Sequence, residues 1–221
     1  LHPSQVLERP KVVYNKATKK FVMWMHIDSP DYLKAAAGVA VSDSPVGPFT
    51  YLGSFRPNNA MSRDQTVFVD DDGKAYHFYS SEDNKTMYIS ELTSDYLKPN
   101  GHFTRNFIGM SREAPAVFKY NGKYYLSYSD NHDENMNDGV KGDNRMRYAI
   151  SDSPLGPWKH QGIYMEPTDS YTNHGSIVEY KGEWFAFYHN SALSNHDWLR
   201  SICVDRLYYN EDGTIQMVKQ R

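Results

Sequence analysis

Four residues able to do acid–base chemistry recur along the chain, each immediately before an apolar segment. They are Glu8, Asp64, Glu113 and His174, separated by 56, 49 and 61 residues. When two carboxyl groups lie side by side, the charge of one makes the other hold its proton more tightly. Such a pair can supply a proton donor and a proton acceptor for hydrolysis. If the four positions converge, they form a carboxylate-rich pocket.

Residues near these four extend the candidate site, although each also has a structural explanation. Arg112 and Asn173 directly precede two of them, and Trp24 could offer a stacking face to a sugar. A polar residue can also precede a strand simply because a loop ends there. Glu8 could form a surface ion pair, His174 could be a hydrogen-bonded core histidine, and Trp24 could belong to the core.

The elements that must position these residues form a repeat of roughly 50 residues. Each unit reads as a strand, a tight turn and a second strand rich in aromatic residues. The units begin at Val12, Val67, Val117 and Ile177. Asn121-Gly122 has the preference for positive φ that a two-residue hairpin turn requires. Two segments rich in Pro and Gly, 42–49 and 151–158, mark the connection from a third strand to a fourth.

This period predicts an all-β fold, a β-propeller with four recognisable four-stranded blades. The blades are expected at about 1–60, 61–110, 111–165 and 166–221. No linker or shift in composition interrupts the array, so a single domain is predicted over 1–221. The 18 Tyr, 10 Phe and 4 Trp favour strands. The polar stretch 132–143 is expected between the second and third strands of its blade, as a solvated loop or a rim loop that shapes a ligand cleft.

The composition excludes several classes of function. The net charge is −3, from 27 acidic and 24 basic residues with no basic run, so no nucleic-acid partner is expected. No apolar stretch approaches 18 residues, so no membrane partner is expected either. The sequence has no Gly-x-Ser-x-Gly elbow, no His-Glu-x-x-His motif and no phosphate-binding loop.

Several segments of the chain resemble glycoside hydrolase family 43. Arg-Glu-Ala-Pro at 112–115 resembles the general-acid motif of that family. Arg-Asp-Gln-Thr at 63–66 resembles the segment whose aspartate tunes and orients the acid. Thr-Asn-His-Gly-Ser at 172–176 is similar to a last-blade motif whose histidine lies near the channel centre. The first half looks closest to the exo-β-1,3-galactanase branch, and the second half to arabinofuranosidase or xylosidase branches.

The resemblance implies an inverting, exo-acting glycosidase on plant polysaccharide that contains galactose, arabinose or xylose. Glu113 would be the acid, Asp64 its tuning partner, and Glu8 a ligand of sugar hydroxyls or a second partner. Arg112 and Trp24 would contact substrate. No cofactor is required, although many members hold a calcium ion near the histidine that matches the one at position 174.

Family members usually have five blades, and their general base comes from the first blade. The four units here match blades two to five, so the first blade and the usual base have no counterpart. Asp169 or Asn173 would take part in place of that base, as substrate-site residues.

Two further functions remain open at this stage. The chain could be a non-catalytic carbohydrate-binding propeller, or a truncated or engineered four-blade scaffold. The expected partner is an oligosaccharide or polysaccharide. Open blade edges would present unpaired backbone groups, which favours a homo-oligomer. The substrate class predicts a secreted or periplasmic protein, although the sequence shows no signal peptide.

Overall fold

The computed structural model describes residues 2–110, 112–134, 136 and 138–220, and this part of the chain is all-β. Fifteen strands form four antiparallel sheets, with one short 3-10 turn at Pro57–Asn59. None of the described helical segments has the length and hydrophobicity to span a bilayer. The chain divides into two compact units, Leu1–Ile108 and Gly109–Arg221, and each is described on its own.

Unit 1 holds two four-stranded sheets, each with its strands in sequence order. The strands of the first sheet are β1 (Val6–Asn15), β2 (Lys20–Asp28), β3 (Ala36–Ser42) and β4 (Thr50–Phe55). The strands of the second sheet are β5 (Gln65–Val69), β6 (Ala75–Ser81), β7 (Thr86–Leu92) and β8 (Pro99–Asn106). Both sheets fall inside the ranges predicted for the first two blades.

Unit 2 holds one four-stranded and one three-stranded sheet. The strands of the first are β9 (Glu113–Tyr120), β10 (Lys123–Ser129), β11 (Met146–Ser151) and β12 (Lys159–Met165). The strands of the second are β13 (Ser176–Tyr180), β14 (Glu183–Asn190) and β15 (Ser201–Leu207). The sheet order again follows the sequence, as in the up-and-down blades of a propeller.

The last sheet therefore has three strands in the described chain, where the repeat predicts four. The segment after β15 instead packs against the preceding sheet of the same unit. Ile215 and Val218 are buried, and the Val218 N–H donates to the carbonyl oxygen of Tyr164 at 2.8 Å. The Tyr125 hydroxyl donates to the Gly213 carbonyl oxygen at 2.7 Å. Burial of these apolar side chains takes this segment away from the position of a fourth strand.

The predicted hairpin turns form as their residues require. Asn121 and Gly122 have φ angles of 47° and 75°, and they connect β9 to β10. Lys181 and Gly182, with φ angles of 54° and 81°, connect β13 to β14 in the same way. Positive φ at both positions matches the twist of the flanking strands.

Aromatic side chains on the second strand of each sheet form the cores of the two units. Trp24 and Tyr79 are buried in unit 1, and Tyr128 and Tyr188 in unit 2. Each lies on the aromatic-rich second strand predicted from the repeat. The alternating aromatic residues of these strands therefore mark side chains that pack in the core.

The polar loop between β10 and β11 is folded around a buried arginine. Arg147 donates from Nε to Asp130 at 2.7 Å and from Nη2 to the Val140 carbonyl oxygen at 2.8 Å. Its Nη1 also contacts Asp138. The loop at 132–143 lies between the second and third strands as predicted, and these bonds tie it to the sheet. Its role as the rim of a cleft stays a prediction.

Candidate active site

In unit 1, Glu8 lies at a β-bulge in the first strand. The pairing of β1 with β2 shifts register between Glu8 and Lys11, and Arg9 adopts a φ of 50°. A bulge of this kind redirects a side chain at the end of a strand. The Gln65 carboxamide donates to the Arg9 carbonyl oxygen at 2.5 Å, which fixes the bulge from the neighbouring sheet. Glu8 faces His26 on β2.

A row of hydrogen bonds surrounds the Glu8 carboxylate. His26 Nδ1 lies 3.1 Å from Glu8 Oε2, and His26 Nε2 lies 2.7 Å from Asp28 Oδ2. The Tyr32 hydroxyl donates to Glu8 Oε1 at 2.8 Å. Burial, the hydrogen bond to Glu8 and the nearby negative charges raise the pKa of Tyr32 to about 12. The phenol therefore stays a donor to Glu8 at neutral pH.

Asp64 precedes the second sheet of the same unit and is buried. Its backbone carbonyl accepts the Ser80 N–H at 2.9 Å. One ligand atom each of Glu8, His26 and Asp64 lies within 4.8 Å of the others, a spacing that could suit a metal ion. However, both ring nitrogens of His26 already face carboxylate oxygens. We therefore assign the three residues to a hydrogen-bonded cluster.

In unit 2, Glu113 repeats the backbone arrangement of Glu8. It is the first residue of β9, where the pairing with β10 shifts register between Ser127 and Ser129. Ala114 is fully buried and adopts a φ of 53°. Asn131 Nδ2 donates to Glu113 Oε2 at 2.7 Å. The Glu113 side chain is 13% exposed, so its carboxyl group is largely shielded from water.

His174 is the second predicted residue that the structure brings to Glu113. Its Nε2 lies 3.6 Å from Glu113 Oε1, and its ring centroid lies 5.5 Å from that of His189. The His189 Nε2 donates to the Thr172 carbonyl oxygen at 2.7 Å, which ties β14 to the segment before β13. Asn173 is fully buried, and within the described residues its amide nitrogen and oxygen have no hydrogen-bond partner.

Two predicted substrate contacts are wrong because their side chains lie in the core. Trp24 is fully buried, and its indole N–H donates to the Tyr96 carbonyl oxygen at 2.8 Å. Arg112 is also fully buried, with its guanidinium 4.6 Å from the centre of the Tyr128 ring. Burial lowers the pKa of Arg112, partly offset by Tyr128. Neither side chain can reach a sugar from these positions.

Asp169 is an exposed residue in the segment between β12 and β13. Its backbone carbonyl accepts the Ser191 hydroxyl at 2.5 Å. Its part in a site stays a prediction.

Three site residues were missed by the sequence analysis, namely His26, Asp28 and Asn131. His26 and Asp28 lie on the second strand of their sheet, and Asn131 lies two residues after the end of β10, the second strand opposite Glu113. Counting the hairpin register outward from each turn misses them, because the bulge shifts the pairing by one residue: Glu8 pairs with His26 where the count gives Ile27.

Comparison with known proteins agrees with this arrangement. The sequence profile described as Glycosyl hydrolases family 43 matches residues 12–215. The chain belongs to this family. The four sheets are accordingly propeller blades, which confirms the predicted fold class.

Individual relatives act on related sugars. A β-xylosidase of Xylanibacter ruminicola is 34% identical over 82% of this chain and 66% of its own length. A xylosidase/arabinosidase of Bacteroides ovatus is 32% identical over 80% of this chain and 63% of its own length. The chain thus spans slightly less than two thirds of both proteins. A GH43 β-1,3-galactosidase solved with galactodeoxynojirimycin has a TM-score of 0.83 and 31% identity, covering 99% of this chain and 76% of that one.

Proposed function

We propose that this chain carries the catalytic acid of an inverting, exo-acting glycosidase on plant polysaccharide that contains galactose, arabinose or xylose. The observation that carries the proposal is the setting of Glu113. Its carboxyl group is shielded, held by the Asn131 amide and next to His174.

The surroundings of Glu113 suit a proton donor. Its hydrogen bond from Asn131 comes from a neutral amide, which fixes one oxygen and leaves the other toward His174. In an inverting mechanism such an acid protonates the leaving oxygen while water attacks the opposite face of the sugar. The proton leaves the Glu113 carboxyl group as the glycosidic bond breaks.

The two carboxylates of unit 1 have supporting roles in this proposal. Glu8 is 41% exposed at its side chain and can accept hydrogen bonds from sugar hydroxyls. Asp64 orients and tunes the acid, as the family resemblance implies. The link between Asp64 and Glu113 is a functional prediction, and kinetics will decide it.

The proton acceptor for the attacking water is the least defined part of the reaction. A carboxylate can take the proton at neutral pH, whereas an amide can only hold the water by hydrogen bonds. We therefore propose Asp169 as the acceptor and Asn173, whose buried amide has no hydrogen-bond partner among the described residues, as a ligand of a bound water.

A calcium ion near His174 is a further part of the proposal. Calcium takes six to eight oxygen ligands, and in unit 2 one carboxylate oxygen of Glu113 lies 3.6 Å from His174 Nε2. Water molecules would fill most of the coordination of such an ion, and the His174 ring would hydrogen-bond to one of them. Calorimetric titration of chelator-treated protein with calcium, compared with His174→Gln, tests this.

The substrate class also bears on where in or outside the cell the protein acts. Polysaccharides are too large to enter cells intact, so we propose that the protein is secreted or periplasmic. Self-association through blade edges stays a prediction, to be checked by sedimentation at micromolar concentration.

The decisive test is hydrolysis of aryl β-galactosides, α-arabinofuranosides and β-xylosides by wild type and Glu113→Gln. For a poor leaving group the substitution should lower kcat by about 10²–10⁴. A highly activated leaving group should restore most of the rate, because it needs no proton. Glu183→Gln, which breaks an exposed pair with Arg206, is the matched control and should keep full activity.

Binding of these sugars without turnover by wild type would contradict the proposal. It would support a non-catalytic carbohydrate-binding propeller, the alternative function.

A further inference from the structure

Three side chains of unit 1 form a row from the core to the surface. Asp28 is fully buried, the His26 side chain is 2% exposed, and Glu8 is 41% exposed. The inner end of the row is locked, because Asp28 Oδ1 accepts the backbone N–H groups of Ser29 and Ala35, both at 2.9 Å.

The hydrogen bonds in this row fix the protonation of its central ring. An ionised carboxylate only accepts hydrogen bonds, and His26 faces a carboxylate oxygen at each nitrogen. Both nitrogens must therefore carry hydrogen, which makes the ring an imidazolium. Burial pushes the pKa of His26 down, but the hydrogen bonds to Glu8 and Asp28 outweigh it and the pKa is raised. The pKa of Asp28 is lowered, since its hydrogen bonds outweigh its burial.

Among the described residues, the acidic groups that lie close to His26 favour this state. Glu8 approaches from β1 and Asp28 from β2 itself, and an Asp64 carboxylate oxygen lies within 4.8 Å from the segment before β5. Tyr32, with its ring centre 6.2 Å away, is a neutral donor. The ring therefore has acidic neighbours on three sides.

We propose that His26 and Asp28 are a positioning pair, which holds the Glu8 carboxylate ionised and aimed as the acceptor for a sugar hydroxyl. This inference rests on the proposed function. The imidazolium holds one carboxylate oxygen and the Tyr32 hydroxyl holds the other, while the side chain is 41% exposed and open to substrate. Glu8 is then a binding group and leaves the acid role to Glu113.

Asp28→Asn removes the negative charge at position 28 while it keeps the hydrogen bonds of that side chain. The amide introduced at position 28 can keep both backbone N–H groups on its oxygen and donate to His26 Nε2. A neutral imidazole with hydrogen on Nδ1 is then fully satisfied. Nitrogen-detected NMR of ¹⁵N-labelled protein should show His26 with two protonated nitrogens at pH 7 in wild type and with one in Asp28→Asn.

The pKa of His26 should fall by roughly one unit or more in that variant. His102→Gln is the control, because His102 is an exposed histidine that also pairs with a carboxylate, Glu91, at 3.3 Å. It should leave the His26 titration unchanged. A neutral His26 in wild type at pH 6, or an unchanged titration in Asp28→Asn, would overturn the proposal.

Kinetics on the best aryl glycoside test the consequence for substrate. In wild type, KM should rise as pH increases through the raised pKa of His26, because the deprotonated ring loses one of its two donors. That rise should be absent in Asp28→Asn. His26→Phe should raise KM about tenfold at every pH with kcat little changed, since a hydrogen bond to a charged group is lost.

A rescue variant guards against misfolding. In His26→Gln/Asp28→Asn, the two amides can rebuild the row without charge, so KM should return close to wild type and lose its pH dependence. An unchanged KM in correctly folded His26→Phe, as judged by circular dichroism, would refute the positioning role. If wild type cleaves no glycoside, the proposed function fails while the NMR result still decides the charge state of His26.

Discussion

The two Glu-x-Pro segments of the chain share a backbone and differ in the strand that faces them. Glu113-Ala114-Pro115 begins β9 and Glu8-Arg9-Pro10 lies two residues into β1, with φ angles of 53° and 50° at the middle residue. Both have a register shift against the second strand at this point. The same bulge therefore presents a glutamate in each unit.

The facing strand then gives the two glutamates different electrostatic environments. His26 is the cross-strand partner of Glu8, and Ser129 is that of Glu113. Two residues further along lie Asp28 and Asn131, respectively. A bulky imidazole separates Asp28 from Glu8, whereas above the small serine Asn131 reaches its glutamate directly. The facing strand thus gives Glu8 a cationic partner and Glu113 a neutral amide, in keeping with the roles proposed for them as ionised acceptor and proton donor.

The strongest test of this comparison asks whether the two clusters act on one substrate. Asp64→Asn and Glu113→Gln should each lower kcat for a poor leaving group, Glu113→Gln by about 10²–10⁴. Residues that act as a unit are strongly non-additive, so the double variant should be little slower than Glu113→Gln alone. Steady-state kinetics of wild type, the two single variants and the double variant complete this double-mutant cycle. Losses that simply multiply would show that the clusters work independently.

Much of this arrangement could be predicted from the sequence. The period near 50 residues and the glycine turns located the sheets, because both reflect local backbone preferences. The position of Glu113 beside His174 was also expected from the motif at the start of each blade. These features depend on short segments whose residues are adjacent in the chain.

The errors have a common physical cause. Trp24 and Arg112 were expected to contact sugar, but neither the alternation along β2 nor the position of Arg112 just before β9 tells which side chains neighbouring segments bury. Arg112 is an unusual core residue that the aromatic face of Tyr128 accommodates. The His26–Asp28 row was missed because it depends on cross-strand register at a bulge, where simple counting from the turn fails.

Arg147→Met tests how the Glu113 cluster is supported. Arg147 binds Asp130, which lies between Ser129 and Asn131, and both charged side chains are fully buried. Removing one partner of a buried pair costs about 3–5 kcal/mol, because the other charge is left in the core. We expect the free energy of unfolding, measured with urea, to fall by about this amount.

The matched control in the same unit is Arg145→Met. In the wild type, the Arg145 guanidinium bonds to the exposed Glu166 at 3.0 Å. It should cost far less, since exposed pairs contribute little. Equal losses in the two variants would show that the Asp130 pair does not support this part of the sheet.

Exchanging the facing residues tests the comparison directly, with a smaller effect. His26→Ser/Asp28→Asn gives Glu8 the same two facing residues as Glu113. The carboxylate loses a charged hydrogen bond, so KM should rise about tenfold while kcat changes little. The pH dependence of KM expected for wild type should vanish. A large fall in kcat instead would mean that Glu8 takes part in proton transfer.

The smallest effect is expected where the two units are alike at the surface. Lys20 pairs with Asp43 in the first sheet of unit 1, and Lys123 pairs with Asp152 at the matching position of unit 2. Both aspartates belong to the Ser-Asp-Ser-Pro segment before the fourth strand, and all four side chains are largely solvated.

Exposed ion pairs contribute about 0–1 kcal/mol and are screened by salt. Lys20→Met and Lys123→Met should therefore each change the free energy of unfolding by less than about 1 kcal/mol, and the change should shrink in 0.5 M salt because the Debye length falls to a few ångströms. Urea unfolding at low and high salt measures this. A large, salt-independent loss in one variant alone would show that this pair supports its sheet, and that the two repeats differ in the turn before the fourth strand as well as at their glutamates.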